Sequence, residues 1–144
     1  MYYFIITNKL KMNHKIEIDR SSVQLLRIAV SGIFLVAGLN HLLQPDNVVG
    51  RIELASYKDF AYFFGDPTLL VVLSGIVMLL AGISFLIGYK TKWAALVLIA
   101  TLIPITITIQ IGQASTLGPL FKNIAIFGGL LFFVMNDTSN SIKK

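Results

Sequence analysis

Five polar side chains that stand beside long apolar runs are the candidates for chemistry in this sequence. They are Asn40, His41, Gln110, Lys122 and Asn123. Polar and ionisable groups at membrane depth are costly, and they usually face the interior of a helix bundle or a cavity. An imidazole exchanges protons near neutral pH, and an ammonium group stabilises negative charge on a bound molecule. These residue types therefore predict a ligand-binding site, although the sequence assigns no catalytic residue.

Three of the basic residues admit two interpretations each. In the first interpretation of Lys122, its charge is balanced by an acidic loop residue or by an anionic or carbonyl-bearing ligand. In the second, its flexible side chain extends to the membrane surface. His41 is either a proton carrier or a neutral ring that hydrogen-bonds to Asn40 or to a loop carbonyl. Arg27 lies near the opposite end of the first apolar run, where we expect it to bind lipid phosphates or a backbone carbonyl.

The composition narrows the chemistry further. None of the 144 residues is a cysteine, which excludes disulfides, thiolate metal ligands, iron–sulfur clusters and covalently attached haem. The two histidines, His14 and His41, predict no metal site, and we expect no intrinsic cofactor. The net charge of +5 is spread over separate segments rather than gathered in one patch, so nucleic acid is not an expected partner.

A lipid environment suits this composition better than water does. The chain is 56% hydrophobic and 13% charged, too little charge to cover a small water-soluble domain. Four apolar segments, at about residues 25–43, 69–87, 93–111 and 117–135, are each long enough to cross a hydrocarbon core of roughly 30 Å as helices. We therefore predict an all-α fold, an integral membrane four-helix bundle with up-down topology. Pro104 is expected to kink the third span.

The remaining segments are tails and one long connection. The predicted divisions are a polar, basic N-terminal tail (residues 1–20), a transmembrane domain (residues 21–136) and a C-terminal tail (residues 137–144). The connection at residues 44–68 mixes charges with aromatic side chains, which is typical of a short helix on the outer membrane surface. The sequence does not distinguish Met1 from Met12 as the start of translation.

Lysine and arginine are distributed unevenly between the two ends of the predicted spans. Eight lie on the side of the two termini and the second loop: Lys9, Lys11, Lys15, Arg20, Lys90, Lys92, Lys143 and Lys144. Three lie on the other side: Arg51, Lys58 and Lys122. Because positively charged segments stay in the cytoplasm, we predict that both termini are cytoplasmic. The expected location is the bacterial inner (plasma) membrane.

Alternate helices of an up-down bundle run in opposite directions, so the ends of the first and third spans meet the start of the fourth. This arrangement is expected to gather six polar residues near the outer interface: Asn40, His41, Gln110, Gln113, Lys122 and Asn123. Helical spacing also predicts inward-facing stripes. On the first span the stripe is Arg27, Ser31, Phe34, Gly38 and His41, and on the fourth it is Lys122, Ala125, Gly129, Phe132 and Asn136.

The order of several short motifs resembles that of DoxX-type membrane proteins. The first span carries LRI (residues 26–28), GIF (32–34) and GLNH (38–41), and the second carries LSGI (73–76) and AGI (81–83) before the basic turn GYKTK (88–92). The most specific stretch is FKNIAIFGGLL at residues 121–131. The resemblance extends over about residues 20–136. Arg27, Lys122 and Asn123 match the family pattern, whereas Asn40 and His41 match only some of its branches.

The resemblance implies a four-helix bundle and a connection with quinone chemistry, since the family's namesake is linked to thiosulfate–quinone oxidoreductase. The leading hypothesis is a membrane subunit that binds a quinone-like lipid through the five polar residues and works with a redox partner. Such a chain would be a subunit of an oxidoreductase rather than a complete enzyme. The expected partners are membrane lipid and a redox protein or a second copy of the chain.

Two other classes of function remain open. A structural or assembly factor that docks on another membrane complex suits the many small residues and the scarcity of redox groups. A small-solute permease is the third hypothesis, although four spans without a detectable internal repeat offer little for alternating access.

Overall fold

The computed structural model of the protein describes residues 18–112 and 114–136. This part of the chain is helical and contains no strand. Its α-helices are α1 (Arg20–Leu43), α2 (Pro45–Glu53), α3 (Lys58–Phe64), α4 (Pro67–Ile87), α5 (Thr91–Ile105) and α6 (Leu117–Met135). A π-helical segment, Thr106–Gln110, continues α5, and a 3-10 turn, Ala114–Thr116, precedes α6.

Four helical stretches in the described residues are long and apolar enough to cross a membrane. They are Arg20–Leu43, Pro67–Ile87, Thr91–Gln110 and Ala114–Met135. The predicted all-α, four-span fold is therefore confirmed. Helix α1 packs mainly on α4, α4 on α5, and α5 on α6.

The main core joins the four spanning helices near the turn between α4 and α5. Its largest fully buried side chains include Phe34 on α1, Phe85 on α4, Leu98 on α5 and Phe133 on α6. The Phe85 and Phe133 rings meet edge to face with their centroids 4.8 Å apart, an arrangement that the charge distribution of aromatic rings favours. Packing of this kind holds membrane helices together where lipid removes the hydrophobic driving force.

The turn between α4 and α5 is short and begins at a glycine. Gly88 ends α4 in the left-handed conformation at φ 81°, which glycine adopts without steric cost. The Tyr89 amide donates to the Ser84 carbonyl at 3.0 Å, and the Thr91 hydroxyl donates to the Gly88 carbonyl at 3.1 Å. These bonds satisfy backbone groups that the ends of the two helices would otherwise leave unpaired.

Residues 44–68 form two helices, α2 and α3, rather than the single predicted surface helix. Helix α2 buries Val48 and Ile52 in a second, smaller cluster with Val71 of α4 and Ile109 of the π-helical segment. Pro45 starts α2 directly after α1, because its ring fixes the helical φ angle at a position where no backbone donor is needed. The connection therefore closes one end of the bundle with apolar side chains.

The predicted inward stripe of the fourth span is wrong by one residue. The buried face of α6 consists of Asn123, Ile126, Leu130 and Phe133, whereas Lys122 and Ala125 are exposed. Phe133 and Leu130 complete the main core, and this orientation turns the Lys122 ammonium group out of the bundle. The stripe of the first span is confirmed at Ser31, Phe34 and Gly38, which are buried.

Helices α1 and α4 approach most closely where two glycines face each other. A methyl group added to Gly38 would lie 3.0 Å from the carbonyl oxygen of Gly75, and one added to Gly75 would lie 3.1 Å from that of Gly38. Real Cβ atoms do not tolerate much shorter distances. Small residues allow such backbone contact, and van der Waals packing then holds the pair together within lipid.

We expect Gly38→Ala to destabilise the protein, because its added methyl group would lie 2.9 Å from Leu79 Cγ and 3.0 Å from the Gly75 carbonyl. Overpacking of this kind costs about 1–3 kcal/mol, and thermal unfolding in detergent followed by circular dichroism measures it. Gly32→Ala is the matched control on the same helix, since nothing lies within 4 Å of its added methyl group. Equal unfolding midpoints for the two variants would contradict the close contact.

Candidate functional site

A cavity of about 330 Å³ lies between α4, α5 and the connection formed by α2 and α3. Its lining residues come from five helical elements and from the end of α1: His41, Val48, Ile52, Phe60, Ala61, Phe64, Leu70, Val71, Leu73, Ser74, Val77, Thr101, Pro104, Ile105, Thr108 and Ile109. We call it the His41 cavity. Most of its wall is apolar, and its polar side chains are one imidazole and three hydroxyl groups.

The contact between the two glycines places His41 in this wall. A methyl group added to Gly75 would lie 2.9 Å from His41 Cβ. The His41 side chain therefore passes over Gly75, which has no side chain of its own. Its Nδ1 atom then lies 2.8 Å from the hydroxyl oxygen of Ser74, the residue before that glycine. The Ser74 hydroxyl is also 2.8 Å from the carbonyl oxygen of Val71, one turn earlier in α4.

The side of the cavity formed by α4 reaches the surface that lipid would cover. Leu73 and Val77 line the cavity and are 48% and 38% exposed. On the α3 side, Phe60 and Phe64 line it and meet edge to face, with ring centroids 5.2 Å apart. The cavity therefore opens sideways, between a spanning helix and an aromatic helix of the connection.

Pro104 and the π-helical segment shape the opposite wall. Proline has no amide hydrogen and cannot donate to the carbonyl four residues earlier, and α5 changes to π-helical hydrogen bonding one residue after Ile105. Thr108 and Ile109 of this segment line the cavity. The kink expected at Pro104 thus takes the form of a change of helix type, a feature that often marks functional sites.

The other four predicted site residues do not line the His41 cavity. Asn40 and Lys122 are exposed. Asn123 is buried and donates to the Thr106 hydroxyl at 2.9 Å, which joins α6 to the π-helical segment. Gln110 is 5% exposed, and its Oε1 atom is buried without a hydrogen-bond partner among the described residues. The expected convergence of all five on one pocket is therefore not what the structure shows.

Gln113 and Arg27 were also singled out from the sequence. Gln113 lies outside the described residues. Arg27 lies far from the cavity, with its guanidinium group against Gly88 at the carboxyl end of α4, and a methyl group added to that glycine would come within 2.5 Å of Arg27 Nη1. A cation in this position complements the partial negative charge of a helix end.

Ser74 is the site residue that the sequence interpretation missed. A serine in the middle of a transmembrane run is unremarkable alone, since its hydroxyl can bond to its own helix. The available signal was its position directly before Gly75, which indicates a close helix approach at that level. Ser74 contacts His41 only because α1 crosses there, and that crossing is a tertiary feature.

The connection also contains an ionisable pair that lies outside the spans. The Tyr62 hydroxyl of α3 donates to a carboxylate oxygen of Glu53 at the end of α2. This hydrogen bond raises the pKa of the Tyr62 phenol above its ordinary value, with smaller contributions from desolvation and from nearby negative charge. No group of three or more metal-ligating side chains occurs in residues 18–112 and 114–136.

The fold and the cavity define a four-span helical membrane protein with a lipid-side pocket. The DoxX family profile matches residues 22–111, more than half of the chain, and the protein belongs to that family. The match ends before α6, so the likeness of residues 121–131 to the family rests on the sequence motif alone. No curated protein sequence and no solved structure is detectably similar to the chain.

The bond between Asn123 and Thr106 should contribute measurably to stability. We expect Thr106→Val to lower the free energy of unfolding by about 1 kcal/mol, because it leaves the buried Asn123 amide without its acceptor. Thr101→Val is the control, since that hydroxyl donates only to Val97 of its own helix. Unfolding in mixed micelles gives the free energies of unfolding. If the double variant Thr106→Val/Asn123→Leu loses the sum of what the two single variants lose, the two residues do not interact and the bond is contradicted.

Proposed function

We propose that this DoxX-family protein is a membrane subunit that binds a quinone-like lipid in the His41 cavity and works with a redox partner. The observation that carries the proposal is an apolar cavity with one titratable side chain on its wall. A cavity of about 330 Å³ is within the range of small-molecule sites, roughly 300–1,000 Å³, which combine apolar walls with a few polar groups.

The residues present suit a quinone-like molecule in two respects. The apolar wall formed by Val71, Ile105 and Ile109 accepts a hydrocarbon ring and the start of a tail, and the sideways opening at Leu73 leaves room for the rest of the tail in lipid. The imidazole of His41 can form a hydrogen bond with an oxygen substituent of the ring.

A bound quinone would supply two-electron, two-proton chemistry. This chain's own residues would hold the ring, exclude water with apolar side chains and present His41 to it. The sequence has no cysteine, and the described residues include no metal-ligand cluster. These features suit a subunit that provides hydrogen bonds while another protein provides the electron carrier.

The His41 cavity contains one of the five residues that the sequence predicts for the site. Of the five predicted residues, all in the described part of the chain, His41 alone lines the cavity. A ligand role for Asn40, Gln110, Lys122 and Asn123 stays a prediction. The alternative function, a structural or assembly factor, would leave the cavity filled by membrane lipid without selectivity.

Filling the cavity should remove the ligand. We expect Ala61→Phe to reduce the quinone that copurifies in mild detergent by at least tenfold, because Ala61 lines the cavity and the added ring would occupy it. Ala100→Phe is the matched control, an exposed position on α5 that does not line the cavity. Native mass spectrometry and solvent extraction measure bound quinone and bound protein partners together. A stable protein partner with no quinone in either preparation would favour the assembly factor.

We also propose that the protein spans the bacterial inner membrane with both termini in the cytoplasm, supported by the distribution of its basic residues. The chain has no native cysteine, so single introduced thiols report sidedness directly. In spheroplasts, Lys90→Cys should react with an impermeant maleimide only after permeabilisation, and Arg51→Cys should react before it. Labelling of Lys90→Cys from outside would reverse the orientation.

A further inference from the structure

The hydrogen bonds of Ser74 determine which nitrogen of His41 carries a proton. A serine hydroxyl has one hydrogen. The Ser74 oxygen lies 2.8 Å from the Val71 carbonyl oxygen and 2.8 Å from His41 Nδ1. A carbonyl can only accept, so Ser74 donates its hydrogen to Val71 and must accept from the imidazole. His41 is therefore protonated at Nδ1.

The second nitrogen of the ring, Nε2, is then a hydrogen-bond acceptor. No carboxylate among the described residues pairs with His41, and a ring in an apolar wall without such a partner stays neutral because burying an uncompensated charge is costly. A neutral imidazole protonated at Nδ1 has only a lone pair at Nε2. The two hydrogen bonds of Ser74 thus place the imidazole proton on Nδ1 and a lone pair on Nε2.

The Nε2 atom is the ring nitrogen that Ser74 does not contact. The ring's hydrogen-bond partners are the Ser74 hydroxyl, at Nδ1, and the Val71 backbone. Among the described residues, the buried side-chain nitrogen and oxygen atoms without a partner are Arg27 Nε and Gln110 Oε1, so Nε2 is not one of them. His41 lines the cavity.

The hydroxyl groups in the wall do not offset this bias toward acceptors. Ser74 donates to Val71, and Thr101 donates to the Val97 carbonyl at 3.0 Å, so the hydrogens of both are already used. The hydroxyl of Thr108 can donate or accept and therefore does not favour one kind of ligand oxygen over the other. Among the polar side-chain groups of the wall, Nε2 of His41 is the one that can only accept.

We propose that Nε2 of His41 faces the His41 cavity and that the cavity therefore selects the reduced, hydroxyl form of its ligand, a hydroquinone, over the corresponding quinone. A ring hydroxyl donates to His41 Nε2, whereas a quinone carbonyl in the same place would set one lone pair against another. This inference rests on the proposed function and adds the redox state that the site prefers. The hydroquinone makes a hydrogen bond that the quinone cannot make, so the expected preference is about tenfold.

Binding to purified protein tests the preference directly. Decyl-hydroquinone and decyl-benzoquinone are titrated into the detergent-solubilised protein under argon, and calorimetry gives the two Kd values. We expect the hydroquinone to bind about tenfold more tightly. His41→Phe keeps a ring of similar size without the acceptor and should bring the two Kd values within about threefold. Ala100→Phe, which adds an aromatic ring at an exposed position of α5 outside the cavity, should retain the preference.

The outcomes separate this inference from the proposed function. Equal affinities in the unmodified protein, or tighter binding of the quinone, would overturn the preference and leave quinone binding in place. Failure of both compounds to bind would overturn the proposed function itself. A preference that survives His41→Phe would remove His41 from the explanation.

The tautomer can be checked without altering the cavity. The sequence contains two histidines, His14 and His41, so His14→Gln leaves one imidazole for ¹⁵N NMR of histidine-labelled protein. We expect the signals of a neutral ring protonated at Nδ1. A ring protonated at Nε2, or at both nitrogens, would overturn the inference even if His41→Phe did not fold.

Discussion

The contact between Gly38 and Gly75 is the constraint on which the candidate site depends. Within lipid, helices gain little from burying apolar surface, and close packing of backbones takes the place of that driving force. The two glycines bring α1 and α4 so close that an added methyl group would meet the opposite carbonyl at about 3 Å. The distance of 2.8 Å between His41 and Ser74 follows from this approach, because both residues lie within one turn of the contact.

The two ends of the bundle are built differently. Toward the turn between α4 and α5, aromatic and aliphatic side chains such as Phe85, Leu98 and Phe133 are fully buried. Toward the other end, Pro104 interrupts the regular hydrogen bonding of the third span, and α2 and α3 pack over the opening with smaller contacts. The filled end stabilises the fold, and the irregular end leaves a space beside a titratable residue.

The sequence was sufficient for the spans and for part of the helix packing. The apolar runs at about residues 25–43, 69–87, 93–111 and 117–135 predict the four spans closely, because lipid thickness acts on local sequence. The inward face of α6 was predicted one residue away from its true position. Small residues were assumed to face inward, but Phe133 and Leu130 fill the core, and Lys122 consequently faces outward.

The cavity could not be predicted from the sequence alone. Its walls come from segments that are distant in the chain, and it exists only because α2 and α3 fold back over α4 and the π-helical segment. His41 was identified as a candidate from its residue type, whereas its partner Ser74 was not, since no local pattern shows which residue of a neighbouring helix a side chain will meet. Proximity across helices is decided by packing geometry.

The sideways opening at Leu73 and Val77 has a consequence for how the site is supplied. An amphiphile with a hydrocarbon tail dissolves in the bilayer far more readily than in water, so its concentration at this entrance is set by its abundance in the leaflet. Because that local concentration is high, a site that opens to the bilayer needs only a modest intrinsic affinity to be occupied. Exchange of its occupant with a neighbouring protein would take place by lateral diffusion, without passage through either aqueous compartment.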